Sequence, residues 1–312
     1  MELFSKARKS AFLPRHPKIF SRHLWLLSLF LVLIASHVSA ADDRGLMFLA
    51  TKGERTVYLL GSIHLADQSF YPLRESIRDA YADSDALVIE ADVVAMESDP
   101  RLQQQIMQES FYPPGDQLKN HISPAVYSAL RTWLQKRQIP EPHFNRMRPA
   151  IAMITLSLVE MQARGLDPNA GIDRHFLLQA HQRSKPILEL ESVMQQLQLL
   201  NSLEKPELYL QQTLDQLEEM DRFVPRMTSA WKDGDEQALY DLVFREGIDE
   251  HPELEQLHER LFYQRNREMA KKVQSFSQQH KTLFVVVGAG HLVGEKSVIT
   301  HLNSAGFTIR RI

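Results

Sequence analysis

Two stretches, written nearly alike towards opposite ends of the chain, constrain this fold more than any other feature. One is Thr56-Val-Tyr-Leu-Leu-Gly-Ser-Ile-His64, the other Leu283-Phe-Val-Val-Val-Gly-Ala-Gly-His291. Each is an apolar run of strand length, rich in β-branched and aromatic residues, that stops at a glycine. The glycine is expected to permit a tight turn or a positive φ. Gly-x-x-His then sets an imidazole just past the strand. If the two strands are neighbours, His64 and His291 reach one edge of a sheet. In open α/β sheets the crevice beyond the carboxyl ends of the strands is where ligands bind.

Residues 1–40 stand apart. Lys6, Arg8, Lys9, Arg15, Lys18 and Arg22 form a basic region, Leu24 to Ala35 an apolar core, and Val38-Ser39-Ala40 a small-residue cleavage site. That core is 12 residues long, short of the ~20 a spanning helix needs. A cleaved secretory signal peptide and a periplasmic mature chain 41–312 are expected, with no stable membrane insertion after cleavage. An uncleaved inner-membrane anchor is the competing reading. Residues 41–312 carry 30 Lys and Arg against 38 Asp and Glu. A net charge of −8 argues against a nucleic-acid partner, whose phosphates require a basic face. The chain has no cysteine, which excludes disulfides, thiol nucleophiles and thiolate metal sites. Any metal must be held by His and carboxylate.

Met47-Phe-Leu-Ala-Thr51 and Thr56-Val-Tyr-Leu-Leu60 read as a hairpin turning at Lys52-Gly53-Glu54. Pro72 marks a helix start, and Ala86-Leu-Val-Ile-Glu90 is a buried strand, so a βαβ unit is expected with His64 and Glu90 ending adjacent strands. From about 97 to 280 the sequence is helical in pattern, apart from a strand at Lys185-Pro-Ile-Leu-Glu-Leu190. Leu283–Val287 and Gly306-Phe-Thr-Ile-Arg310 bracket a helix near Ser297 to Asn303. The expected fold class is α/β, with a sheet built from N- and C-terminal βαβ-like units and a large helical insertion, in a single domain over 41–312.

Neutral imidazole is both a common metal ligand and the general base available near pH 7. Glu90 stands where the strand pattern calls for an apolar residue. A carboxylate there is costly unless it is paired or bound to a cation. With His64 and His291 it makes a His/Glu/His set suited to a divalent ion; the competing reading pairs Glu90 with an arginine such as Arg265. Asp92 falls on the same strand face and could take either role. Asp173 in Gly171-Ile-Asp173 is read as an N-cap. Glu191 either lines the cleft or begins a helix with Ser192, and Arg265-Asn266 is read as part of a solvated helix face. No His-Glu-x-x-His, Gly-x-Ser-x-Gly or P-loop motif is present.

Taken in order, Leu59-Leu-Gly-Ser-Ile-His-Leu65 with Phe70-Tyr-Pro-Leu73, Val88-Ile-Glu-Ala-Asp92, Gly171-Ile-Asp173, Leu188-Glu-Leu-Glu191, Ala230-Trp-Lys-Asp-Gly-Asp235, Arg265-Asn266 and Val287-Gly-Ala-Gly-His-Leu292 resemble the TraB/PrgY/GumN family in its GumN-like branch. That family includes the Tiki metal-dependent proteases, which act on secreted Wnt signals, and PrgY, which limits a peptide pheromone. It is distantly similar to erythromycin-esterase-like hydrolases. The resemblance implies that Gly61, His64, Glu90, Gly288 and His291 carry the site. One departure is Arg148-Pro149, where many relatives have Lys-Pro-Trp. The implied activity is a periplasmic metal-dependent hydrolase, acting as a peptidase on a peptide or small-molecule substrate. His64, Glu90 and His291 would hold a divalent ion (manganese, cobalt or zinc), and Arg265 would stabilise the oxyanion. Two other readings fit the same residues: a non-enzymatic protein that sequesters a peptide, and a metal-free hydrolase with His64 as general base.

Overall fold

The computed structural model describes residues 45–312; the expected signal segment lies outside the described residues. Six strands form one mixed sheet: β1 (Leu46–Lys52), β2 (Arg55–Ser62), β3 (Ala86–Ile89), β4 (Ile187–Glu189), β5 (Thr282–Gly288) and β6 (Thr308–Arg311), in the spatial order β4-β3-β5-β2-β1-β6. β4, β3, β5 and β2 run parallel, whereas β1 is antiparallel to both β2 and β6. The β1–β2 hairpin turns at Gly53, whose φ of +60° suits glycine.

β2 and β5 are neighbours as expected, in a register that sets Gly61 opposite Val287 and Ser62 opposite Gly288. One expectation is corrected. β2 and β3 are not adjacent, because β5, distant in sequence, lies between them. Its Phe284-Val-Val-Val287 is buried on both faces, as a central parallel strand should be. β6 runs in the same sense as β5 but crosses to the far edge to pair with β1. The intervening helix starts at Glu75 rather than at Pro72.

The main core covers the sheet and includes Leu59, Phe176, Trp231 and Phe284. A second core lies within the helical insertion, where Leu118, Leu130, Trp133, Leu156 and Leu210 pack together. Trp231 fastens its helix, Met220–Asp233, to the sheet: the ring is fully buried and Nε1 donates to the Gly61 carbonyl at 2.7 Å. Among the described residues no helix is long and apolar enough to cross a membrane.

Candidate functional site

The four parallel strands all end on the same side, and each is followed by a polar residue. In spatial order these are Glu191 after β4, Glu90 after β3, His291 after β5 and His64 after β2. The sheet therefore brings together residues from across the chain, at the edge where such folds bind ligands.

His64 is held from its far side. Gly171-Ile-Asp173 at the start of the helix Ile172–Arg183 docks on it residue by residue. A Cβ on Gly171 would come within 2.3 Å of the His64 carbonyl oxygen, so only glycine permits that approach. The Ile172 N–H donates to the Ile63 carbonyl at 3.1 Å. The Asp173 Oδ2 lies 2.9 Å from His64 Nδ1, so Asp173 is not the N-cap but the orienting partner of the imidazole; Gly171 occupies the cap position. The Asp173 carboxylate raises the His64 pKa to about 9. The His64 side chain keeps 60% of its surface exposed, so water screens part of that charge. A proton on Nδ1 facing Asp173 leaves Nε2 directed at the site.

His291, in the short turn Ala289–His291, is buried. Its Nδ1 lies 2.5 Å from Asn266 Oδ1. The Asn266 amide is itself oriented, because Nδ2 donates to the Lys296 carbonyl at 2.8 Å. That network makes Nδ1 the protonated nitrogen and leaves a lone pair on Nε2. Burial lowers the His291 pKa to about 4, so the ring is neutral at physiological pH.

Glu90 accepts from the Gly288 N–H at 2.7 Å through Oε1, and from Arg265 at 2.8 Å and Gln196 at 3.1 Å through Oε2. Burial alone would raise its pKa, but His291, Arg265, His64 and the Gly288 N–H draw it down to about 2. Arg265 also grips Glu191, with Nε at 2.9 Å and Nη2 at 2.8 Å from its carboxylate, and donates through Nη1 to the Leu261 carbonyl. The pairing of Glu90 with Arg265 is thus realised. The guanidinium, expected to meet an oxyanion, spends most of its donors on the two carboxylates. Arg265-Asn266 is not a solvated face: the Arg265 side chain is 16% exposed and Asn266 is buried. Asp92 lies outside the site, pairing with His181 at 2.8 Å and capping the next turn.

His64, Glu90 and His291 converge over Gly288. A Cβ placed on that glycine would lie 3.4 Å from Glu90 Oε1, 3.7 Å from His291 Cδ2 and 3.7 Å from His64 Nε2. Gly288 has φ −50° and Gly61 is not among the glycines of positive φ. The repeated glycines therefore serve close approach, not an unusual backbone. Among the described residues no group of three or more His, Cys, Asp or Glu side chains is placed to hold a metal ion. His291 Nε2 and Glu90 Oε1 stand 3.8 Å apart. The donor chemistry nevertheless fits a divalent ion. His291 Nε2 has its lone pair free, His64 Nε2 offers one once a cation displaces its proton, and Oε1 accepts one hydrogen bond out of the two that its lone pairs allow. The partners Asp173 and Asn266 are of the kind that orient metal-bound histidines. Gln196 was not legible as a site residue, since nothing separates it from the other glutamines of a Gln-rich helix.

Fold and site together define an α/β protein with a His and carboxylate centre at the carboxyl ends of the four parallel strands of a mixed sheet. The chain belongs to the TraB/PrgY/gumN family, whose model matches residues 46–311. It is similar to the uncharacterized protein YbaP of Escherichia coli (strain K12), 28% identical over 78% of this chain and 86% of that protein. It is also similar to metalloprotease TIKI1 of Danio rerio, 23% identical over 81% of this chain, and to a metalloprotease TIKI homolog of Nematostella vectensis, 23% identical over 82% of it. The chain spans 60% and 64% of the length of those two metalloproteases. No solved structure matches.

Proposed function

We propose that this protein is a metal-dependent hydrolase that cleaves peptides in the periplasm. The observation that carries the reading is the convergence of His64 Nε2, Glu90 Oε1 and His291 over the bare Cα of Gly288, with the distal ring nitrogens fixed by Asp173 and Asn266. The similarity to TIKI1 metalloprotease supports the reaction class, and the signal-like residues 1–40 support the compartment.

In this reading His64, His291 and Glu90 hold the ion. A bound divalent ion supplies Lewis acidity and a water whose pKa falls towards 7. Arg265 and the Gly288 N–H keep Glu90 ionised. A carboxylate held that far down is a weak base, so Glu90 acts as a ligand and not as a proton acceptor. Buried His291 anchors one side, and exposed His64 faces the side from which substrate arrives.

The test is hydrolysis of a quenched-fluorescent peptide library by wild type and Glu90→Gln, each stripped with chelator and reloaded with manganese, cobalt or zinc. Metal-restored cleavage in wild type, absent in the folded variant, is expected. Undiminished cleavage by Glu90→Gln would remove the role given to that residue.

A further inference from the structure

Away from this centre the helical insertion carries a groove of about 660 Å³. The helix Pro100–Ser110 contributes Met107, and the following loop contributes Phe111, Pro113 and Pro114. Met107 is 58% exposed, the more exposed of the two exposed large hydrophobic side chains among the described residues. A solvent-facing thioether beside an aromatic ring and two prolines is an adaptable apolar surface of the kind that receives extended peptides.

The groove is also a basic island on an acidic chain. No lining residue is a carboxylate, while Arg146 and Arg148 both are lining residues. Arg146 donates only to a carbonyl, that of Tyr112, at 3.0 Å from Nε and 2.7 Å from Nη2. Arg148 lies over the Tyr112 ring at 5.0 Å, and its Nε is buried with no hydrogen-bond partner. Among the described residues neither arginine stands in an ion pair, whereas Arg265, Arg174 and Arg226 all do. Each guanidinium is a planar fork suited to a carboxylate, and among the described residues neither has an anionic partner.

The helix that supplies Met107 packs on the helix Val193–Asn201, where Asn201 donates to the Glu109 carbonyl at 2.7 Å. That second helix carries Gln196 to Glu90. The groove and the His/Glu/His centre are therefore joined through one pair of packed helices.

We propose that this groove is a docking site for an extended, acidic segment of polypeptide, whose carboxylates meet Arg148 and Arg146 while its apolar side chains cover Met107 and Phe111. It rests on the peptide-hydrolase reading for its meaning, since it names the acidic character of the substrate.

The experiment is fluorescence anisotropy with the full chain and a labelled synthetic peptide in which glutamates alternate with Leu-Pro pairs. The control replaces every glutamate by lysine. Saturable binding of the acidic probe, weakened by salt, is expected, with little binding of the basic one. Met107→Glu, at an exposed position that tolerates the change, and Arg148→Gln should each weaken binding about tenfold, a loss of about 1.4 kcal/mol. Metal content should not change in either. Absent binding, equal binding of both probes, or unchanged affinity in the variants would overturn the proposal. So would a dimer seen by light scattering that Met107→Glu dissociates, since the occupant would then be a second copy. Peptide hydrolysis without probe binding removes the docking site alone; probe binding without hydrolysis removes the catalytic reading alone.

Discussion

The Asp173 carboxylate stands 2.9 Å from His64 Nδ1, joining a helix start to a strand end 109 residues earlier in the chain. It fixes both the tautomer and the direction of the imidazole. Asp173→Asn keeps the shape but removes the charge that favours a proton on Nδ1. Metal affinity should fall about 10- to 100-fold, the usual cost of losing such a partner, with kcat/KM falling alongside. Isothermal titration with zinc checks this, and unchanged affinity would leave Asp173 with a packing role only.

The same pair has a consequence at alkaline pH. The folded His64 pKa is raised from 6.5 to about 9, so the folded state binds more protons between those values. The stabilisation is complete below about pH 6.5 and is lost as pH rises through about 9. Urea midpoints of the metal-free protein should decline over that window in wild type and decline less in Asp173→Asn. Parallel curves would contradict the assignment.

His291 has the opposite sign. Its folded pKa is lowered from 6.5 to about 4, so the unfolded chain binds the extra proton in that window. Stability is complete above about pH 6.5 and is lost as pH falls towards about 4, by roughly 3 kcal/mol over the whole window. The comparison is with His291→Gln in urea unfolding between those limits. A wild-type loss no larger than the variant's would show that the ring does not stay neutral in the fold.

Gly288→Ala separates site from scaffold. The backbone there is ordinary for alanine, with φ −50°, and the new methyl sits at van der Waals distance from all three converging groups. Thermal midpoint should change little, while metal binding and hydrolysis are lost. A variant that binds metal as wild type does would place the ion elsewhere.

Arg265 joins two nearly buried carboxylates, Glu90 and Glu191. Arg265→Met leaves both without their cation and should cost about 3–5 kcal/mol. Adding Glu191→Gln should recover part of that loss. Urea denaturation of the single and double variants measures it, and additive losses would contradict the coupling.

That His64, His291 and Glu90 meet at one sheet edge was legible in the sequence because each polar residue follows an apolar strand run directly. The hairpin and the helical insertion were legible for the same reason of local periodicity. The insertion of β5 between β2 and β3 was not, since adjacency of parallel strands is decided by packing across the whole chain. Asp173 was misread because an acidic residue in a first helical turn looks the same whether it caps the helix or orients a neighbour. Asn266 was hidden by the charged residues around it, which make a buried helix face look solvated.

The central claim is that the centre over Gly288 binds a divalent ion. Elemental analysis of purified wild type beside His64→Ala and His291→Ala, each shown to be folded, tests it most directly. About one ion per chain in wild type, lost from both variants, is the expected result. A folded wild type that retains none after incubation with manganese, cobalt or zinc, or variants that retain it, would contradict the claim.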